Sequence, residues 1–483
     1  MQHNSNIVCI HFQVYNGLRI ELFTLPFVPS RSDFKMRRNT DMTTGKPVKA
    51  LLKFSVPLFA GNIMQNLYNV FDTAVVGHIL GKNALAAVGN SYVPTLIINS
   101  IILGLSSGIL ILLAQVYGSG KTEEAQSCMG SIQTLIFLVG GGLACLFFLS
   151  ARGLFVAMGI PAEAIGYATD YLRIIALGIP FLSVYNFYSA VIKAGGDSRT
   201  PIQDLSVSCL MNIVLDYVFV AQFRLGIQGA AFATVLSQIA AAGLTVFHLY
   251  RKDKKALVIR PDFKYVLQIF QLGITGIVQT GASAVSMFFI QGAINQFGVN
   301  EISAYTSAYK IETILTIPAV NLGISLSVFT AQNIGAKNYE RSRRGLSDSF
   351  KISAVIMAVA VVIIWTVSPQ LMYLLVGNEK EIIRIGVQYL HIISLTYPLC
   401  VSLYFLTNFL RGAGEIGYPL FNTLLELSFR TVFAFVSVRY IGFYGIMLCR
   451  PLSFVISTVS LSCRYFTKKW QKSVISPNSK GSC

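Results

Sequence analysis

Charge is what this chain has least of. Asp, Glu, Lys and Arg make up only 12% of its 483 residues, against about 25% in a soluble domain. Hydrophobic residues make up 54%, and the mean hydropathy is +0.61. Too few polar side chains remain to cover the several water-facing domains into which a soluble chain of this length would divide. A soluble protein is excluded. Alternating strand patterns are missing too, which excludes a transmembrane β-barrel. No HExxH or Walker A motif is present, so nothing points to ATP-driven work by this chain alone, to an enzyme or to a cofactor. Eight cysteines lie scattered without CxxC or paired spacing, and five histidines form no metal pattern. The cysteines read as apolar filler in helices.

What is abundant is apolar length. Twelve segments can each cross roughly 30 Å of hydrocarbon as a helix: 54–80, 89–117, 130–150, 168–194, 201–222, 227–250, 265–292, 302–328, 347–370, 384–410, 419–438 and 443–466. The fold class is an all-α integral membrane protein with 12 transmembrane helices. The net charge of +17 invites a nucleic-acid reading, but the positions of Lys and Arg argue otherwise. With both termini inside, the inner loops and C-terminal tail hold 20 of them, Lys193 and Arg411 included. The outer loops hold 7. That asymmetry is the positive-inside rule, and it places both termini in the cytoplasm of a cell-membrane protein. Residues 1–41 resemble neither a signal peptide nor a long apolar span, and Met36 or Met42 is the expected working start.

The chain repeats itself. "AQVYGSGKTEEA" from Ala114 answers "AQNIGAKNYERS" from Ala331 at an offset of 217. "YLRII" from Tyr171 answers "YLHII" from Tyr389, and Pro180 answers Pro398, at 218. "AGGDSRTP" ending at Pro201 pairs with "GAGEIGYP" ending at Pro419, and "LGIQG" ending at Gly229 with "IGFYG" ending at Gly445. Six helices per copy return the chain to its starting side, so the copies are parallel and related by a pseudo-twofold along the membrane normal. Transporters that rock two halves about a central site are built this way. The expected layout is an N-terminal segment 1–49, a six-helix bundle 50–250, a cytoplasmic linker 251–264, a second bundle 265–466 and a basic tail 467–483.

Polar residues inside these helices are costly and turn inward. In the first helix Asn62, Gln65, Asn66, Asn69, Asp72 and Thr73 share one face, and Pro57 is a candidate hinge. In the fifth, Ser208, Asn212 and Asp216 stand four apart; Thr234 lies in the sixth. Under the repeat, Asp72 falls opposite Phe288 or nearly so, and Asp216 opposite Ala434. The second bundle keeps the scaffold and drops the carboxylates, which points to an ion site in one bundle only. Two close buried carboxylates titrate as a pair and can hold a proton, while oxygens from Asp, Asn and Thr equally suit Na⁺. Glu426 and Arg430, four apart, read as a self-neutralising pair. Glu312, two residues from Lys310 but on another face, is a candidate cavity acid for a cationic compound. Gln268, Gln271, Thr275, Gln279 and Ser283 make a further stripe, either cavity wall or helix–helix contact.

The twofold repeat, the "AQ…G" end of the second helix, "AGGDSRTP" after the fourth and "NIVLD" in the fifth resemble the multidrug and toxic compound extrusion family over roughly residues 50–466, within it most nearly the bacterial DinF-like branch. The resemblance implies cation-coupled export of amphipathic, often cationic, compounds through a V-shaped cavity, with small-molecule cargo and the lipid bilayer as partners, and a monomer. It implies the ion-coupling set Asp72, Asn212, Asp216 and Thr234, with Na⁺ as a possible occupant. Asn66, Asn69 and Asn186 are supporting polar residues, although the family position near Asn186 lies closer to Ser189. Glu312, Gln279 and Gln271 are candidate cavity residues. The alternative is a flippase for lipid-linked saccharides, but such relatives usually have fourteen helices and basic cavities. Here four embedded acids stand against three bases, which favours cationic cargo.

Overall fold

The computed structural model describes residues 41–75, 91–158, 162–252 and 262–472, without the side chains of 67–75, 92, 122 and 162–164. Residues 1–40, most of the expected linker, and the tail beyond Lys472 lie outside this set. All regular structure among the described residues is helical. In lipid a helix is the local way to satisfy every backbone donor and acceptor. The N-terminal half contains α1 (Pro47–Val75), α2 (Tyr92–Ser119), α3 (Thr122–Leu135), α4 (Gly142–Ala157), α5 (Ala162–Ala194), α6 (Arg199–Asp216) and α7 (Gly226–Lys252). The C-terminal half contains α8 (Phe263–Ile294), α9 (Val299–Gly335), α10 (Tyr339–Val376), α11 (Lys380–Ser394), α12 (Tyr397–Gly412), α13 (Gly417–Ile441) and α14 (Phe443–Phe466).

These make twelve spans, because two pairs are single spans with a local break. A π-helical turn, Ile136–Gly141, joins α3 to α4 where the sequence runs through three glycines, as π-bulges inside α-helices commonly do. A 54° bend separates α11 from α12. Pro398 causes it, since its ring clashes with the carbonyl four residues back and it has no N–H to donate; that carbonyl belongs to Ser394, the last residue of α11. By length and apolarity alone nine described helices qualify as spans, or ten with the bent pair. The α1 and α13 helices do not.

The repeat is visible in the packing. α5 begins at 162 and ends at 194; α11 begins at 380 and α12 ends at 412, both ends displaced by 218. α1 packs on α6 as α8 packs on α13, and α5 on α7 as α12 on α14. The repeated motifs have matching tasks. Gln115 Nε2 donates to the Gly412 carbonyl at 2.9 Å, and its mate Gln332 donates to the Ala194 carbonyl at 2.7 Å. Between them α2 and α9 cross so closely that a Cβ on Gly118 would lie 1.9 Å from the Gln332 carbonyl oxygen, and one on Gly335 2.0 Å from that of Gln115. This symmetric crossing closes the two bundles against each other at the end that carries residues 41–47. Acids of the second motif tie down the last helix of each bundle: Asp197 pairs with Lys252 of α7, and Glu415 with Arg464 of α14. Asp197 also accepts from the Arg199 and Thr200 backbone N–H groups at the start of α6. Its burial favours the neutral acid, but the hydrogen bonds from Lys252 and Thr200 and the Lys252 charge prevail and hold its carboxyl below the usual range.

Three further contacts hold the two halves together, the first of them farther along α2 and the other two at the closed end. Gly104 and Gly108 of α2 interlock with Gly273 and Gly276 of α8, leaving no room for a Cβ; small residues allow such close helix approach in membranes. Met42 is fully buried. Its N–H donates to Gln332 at 3.1 Å, and its carbonyl accepts from Asn333 and Arg341. The expected tail begins inside the fold: Trp470, 1% exposed, packs edge-on against Phe409 and flat against Tyr465.

Candidate functional site

The N-terminal bundle is polar along α6. Asp204, Ser208, Asn212 and Asp216 stand four residues apart on one face, all buried. Asn212 and Asp216 are each 1% exposed. With its amide nitrogen turned to the carboxylate, Asn212 donates to Asp216 Oδ2 at 2.8 Å, and its oxygen accepts from the Thr234 N–H of α7 at 3.2 Å. The Thr234 hydroxyl donates to the Ala230 carbonyl at 3.1 Å. Three of the four expected ion-coupling residues therefore meet. In this arrangement Asn212 supplies a donor to a carboxylate, and its oxygen is already engaged. Asp72 lies on the described backbone of α1, but its side chain, like that of Asn69, is outside the described set. Pro57 sits inside α1 without breaking it. Asn66 is exposed and donates to the Asn62 carbonyl, while Asn186 donates to the Leu182 carbonyl within its own helix. Neither has a hydrogen bond to the Asn212–Asp216 pair.

Sequence reasoning missed Asp204. It accepts from Thr245 Oγ1 at 2.9 Å, and His248 Nδ1 lies 2.8 Å away. The spacing of the stripe contains it: 204 precedes 208, 212 and 216 by the same step.

The C-terminal bundle holds a cavity of about 410 Å³ between α8, α9, α12, α13 and α14, walled by tyrosines and by Gln279, Glu426, Arg430 and Arg450 among others. Glu426 and Arg430 face each other at 3.5 Å, as their spacing suggests, with Ser453 donating to Glu426 at 3.1 Å. Glu312 departs from expectation. It is 2% exposed, and Arg450 Nη1 and the Tyr389 hydroxyl donate to its Oε2 at 2.6 and 2.9 Å. It is absent from the cavity wall; a buried carboxylate spent on arginine is no free counter-charge. Lys310 is exposed. Of the glutamines, Gln279 lines the cavity while Gln271 is exposed and does not.

Lys193 and Arg411 correct the loop count. Both lie in the last turns of helices, α5 and α12, and both are part-buried. They are repeat mates, 218 apart. Arg411 reaches across to α2 and α8, donating to Ser107 Oγ at 2.8 Å and to Gln279 Oε1 at 3.2 Å.

Two stretches, residues 57–218 and 272–436, match the MatE family model, one in each bundle. The chain belongs to the MatE family, the multidrug and toxic compound extrusion transporters. Among its MatE relatives, the "Probable multidrug resistance protein YpnP" of Bacillus subtilis is 30% identical over 434 residues, covering 89% of this chain and 97% of the relative. The "FAD transporter" of Shewanella oneidensis is 24% identical over 439 residues, covering 87% and 94%. A solved MATE structure described as being in the bent conformation superposes with a TM-score of 0.82 at 24% identity, covering 89% of this chain and 98% of the other. This MatE chain is thus a multi-pass membrane transporter with the 12-helix fold.

Proposed function

We propose that the protein is a cation-coupled antiporter that exports amphipathic small molecules by alternating access, with protons as the coupling ion and the cell membrane as its site. The Asn212–Asp216 bond carries this reading. It buries an ionisable group deep in the first bundle, where the repeat mates are Arg430 and Ala434. Asp72, Asp216 and Thr234 complete the coupling set with Asn212. A carboxylate buried in that setting suits a group that gives up and regains a proton. By the distribution of basic residues the closed end is cytoplasmic, so the structure is shut toward the cytoplasm.

The excess of embedded acids was the argument for cationic cargo. Glu312 and Glu426 are engaged by Arg450 and Arg430, which removes it, and a relative named for FAD carries an anion. A second reading, a flippase for lipid-linked saccharides, gains from the arginines in the cavity wall. Transport in inverted vesicles separates the readings. Drug efflux that falls when the pH gradient alone is collapsed supports the antiporter; movement of a lipid-linked saccharide without a gradient supports the flippase.

A further inference from the structure

We propose that Asp204 of α6 and His248 of α7 form a second proton site in the first bundle, reached from the cytoplasmic side, and that a proton taken up there fastens α6 to α7 and keeps the cytoplasmic end closed. The site is separate from Asp216. It rests on the export reading only for which end is cytoplasmic.

Asp204 is 1% exposed, whereas the His248 side chain is 34% exposed. His248 stands about one helical turn before Lys252, the last residue of α7, so it is close to the water beyond that end. Thr245 donates to Asp204 Oδ2 at 2.9 Å. Asp204 Oδ1 has His248 Nδ1 at 2.8 Å, and neither atom has another partner. A carboxylate oxygen only accepts, so Nδ1 carries the hydrogen of this contact. A proton taken up from water at Nε2, the other ring nitrogen, gives the ring a full positive charge facing the carboxylate. A charge-assisted hydrogen bond is about twice as strong as a neutral one, so protonation tightens α6 against α7. Imidazole is the side chain that makes this change between about pH 5 and 8. The other charged groups at this end are Lys252, held by Asp197; Arg251, over the Phe247 ring; Arg199, at the start of α6; and Lys193, in the last turn of α5. Tyr185 of α5 donates to the Pro201 carbonyl, and α1 meets α6 here through Gly61 against Ile202.

The second bundle lacks the titrating group. Asn422 stands opposite Asp204 at an offset of 218, and Arg464 stands opposite His248 at the 216 that aligns α7 with α14. Arg464 pairs with Glu415 and keeps its charge at every physiological pH. One bundle thus fastens its last helix with a permanent cation, and the other adds a cation that comes and goes with pH. The fastening bears on closure. Residues 195–198 join α5 to α6, and the Ala194 carbonyl just before them accepts from Gln332 of the second bundle. An antiporter that brings protons in acidifies the cytoplasm, and a lock that tightens in acid limits that entry.

The test uses full-length protein in detergent micelles carrying Ser198→Cys, at a position 2% exposed in that connection. Labelling of its peptide by a soluble maleimide is followed by mass spectrometry. Each rate is divided by that of the SDS-unfolded protein at the same pH, which removes the thiol's own ionisation. The normalised rate should rise about fivefold from about pH 5 to about pH 8, the gain of a charged over a neutral hydrogen bond being lost. His248→Gln should label fast at both pH values. His248→Arg, which copies the charge of Arg464, should label slowly at both. Lys193→Gln, at the competing titratable group, should keep the wild-type response. If His248→Gln does not fold, Asp204→Asn should lose the pH response in the same way. A response that survives in His248→Gln or Asp204→Asn, or that disappears in Lys193→Gln, would overturn the proposal, and so would fast labelling of His248→Arg. Neither cargo nor gradient enters this assay, so an absence of proton-coupled export in vesicles would count against the export reading alone.

Discussion

Asn212 is the residue whose neighbours say most about coupling. It donates to Asp216 and accepts from α7, so Asn212→Ala removes a donor but leaves the acid. Proton-coupled efflux should weaken several-fold and remain measurable. Were Na⁺ the coupling ion, loss of a neutral oxygen ligand should abolish coupling; initial rates under separately imposed gradients distinguish these outcomes. At the second bundle, Glu426→Gln leaves Arg430 with Ser286 and without its counter-charge, a loss that can cost roughly 3–5 kcal/mol when buried. The double change Glu426→Gln with Arg430→Met should recover much of that, read as the melting temperature in detergent. Asp197 gives a pH-dependent signature. Its carboxyl is held below the usual range by Lys252 and Thr200, so its stabilisation is fully present above about pH 4, the ordinary Asp value, and fades as pH falls through the lowered value. The melting-temperature gap between wild type and Asp197→Asn should be largest near neutrality and close in acid.

At the scale of helices, much of the architecture was legible because lipid enforces it. Twelve apolar runs became twelve spans, and a sequence offset of 218 reappeared as a displacement of helix ends. The i, i+4 rule found the α6 stripe and the Glu426–Arg430 pair, since both lie within one helix. It could not find Glu312–Arg450, whose partners are 138 residues apart on different helices, nor show that Lys193 and Arg411 are part-buried in helices rather than in loops. Motif letters also concealed their tasks. The glutamines and glycines of the "AQ…G" motif cross-brace the bundles, which follows only once α2 meets α9. Gly118→Ala and Gly335→Ala should each force that crossing apart, at a cost on the order of 1–3 kcal/mol if backbone must shift. Cysteines introduced near the closed end should then be labelled faster by a membrane-impermeant thiol reagent from the cytoplasmic side. Unchanged labelling would remove the crossing as a gate.

For the whole molecule, the proposed exchange cycle assigns a proton site to the first bundle at Asp216, with Asp72 as its expected companion. Moving one charge across the membrane is worth roughly 2.3 kcal/mol per 100 mV. An exported anion is assisted by an inside-negative potential, whereas an exported cation must be offset by the entering ion. A pH gradient adds about 1.4 kcal/mol per unit. The most direct test of the account is cargo efflux from proteoliposomes under an imposed pH gradient at fixed Na⁺, comparing wild type with Asp216→Asn. The account expects efflux by the wild type that follows the pH gradient and disappears when an ionophore collapses it, and no gradient response from Asp216→Asn despite normal insertion. Gradient-driven efflux by Asp216→Asn at the wild-type rate would contradict it.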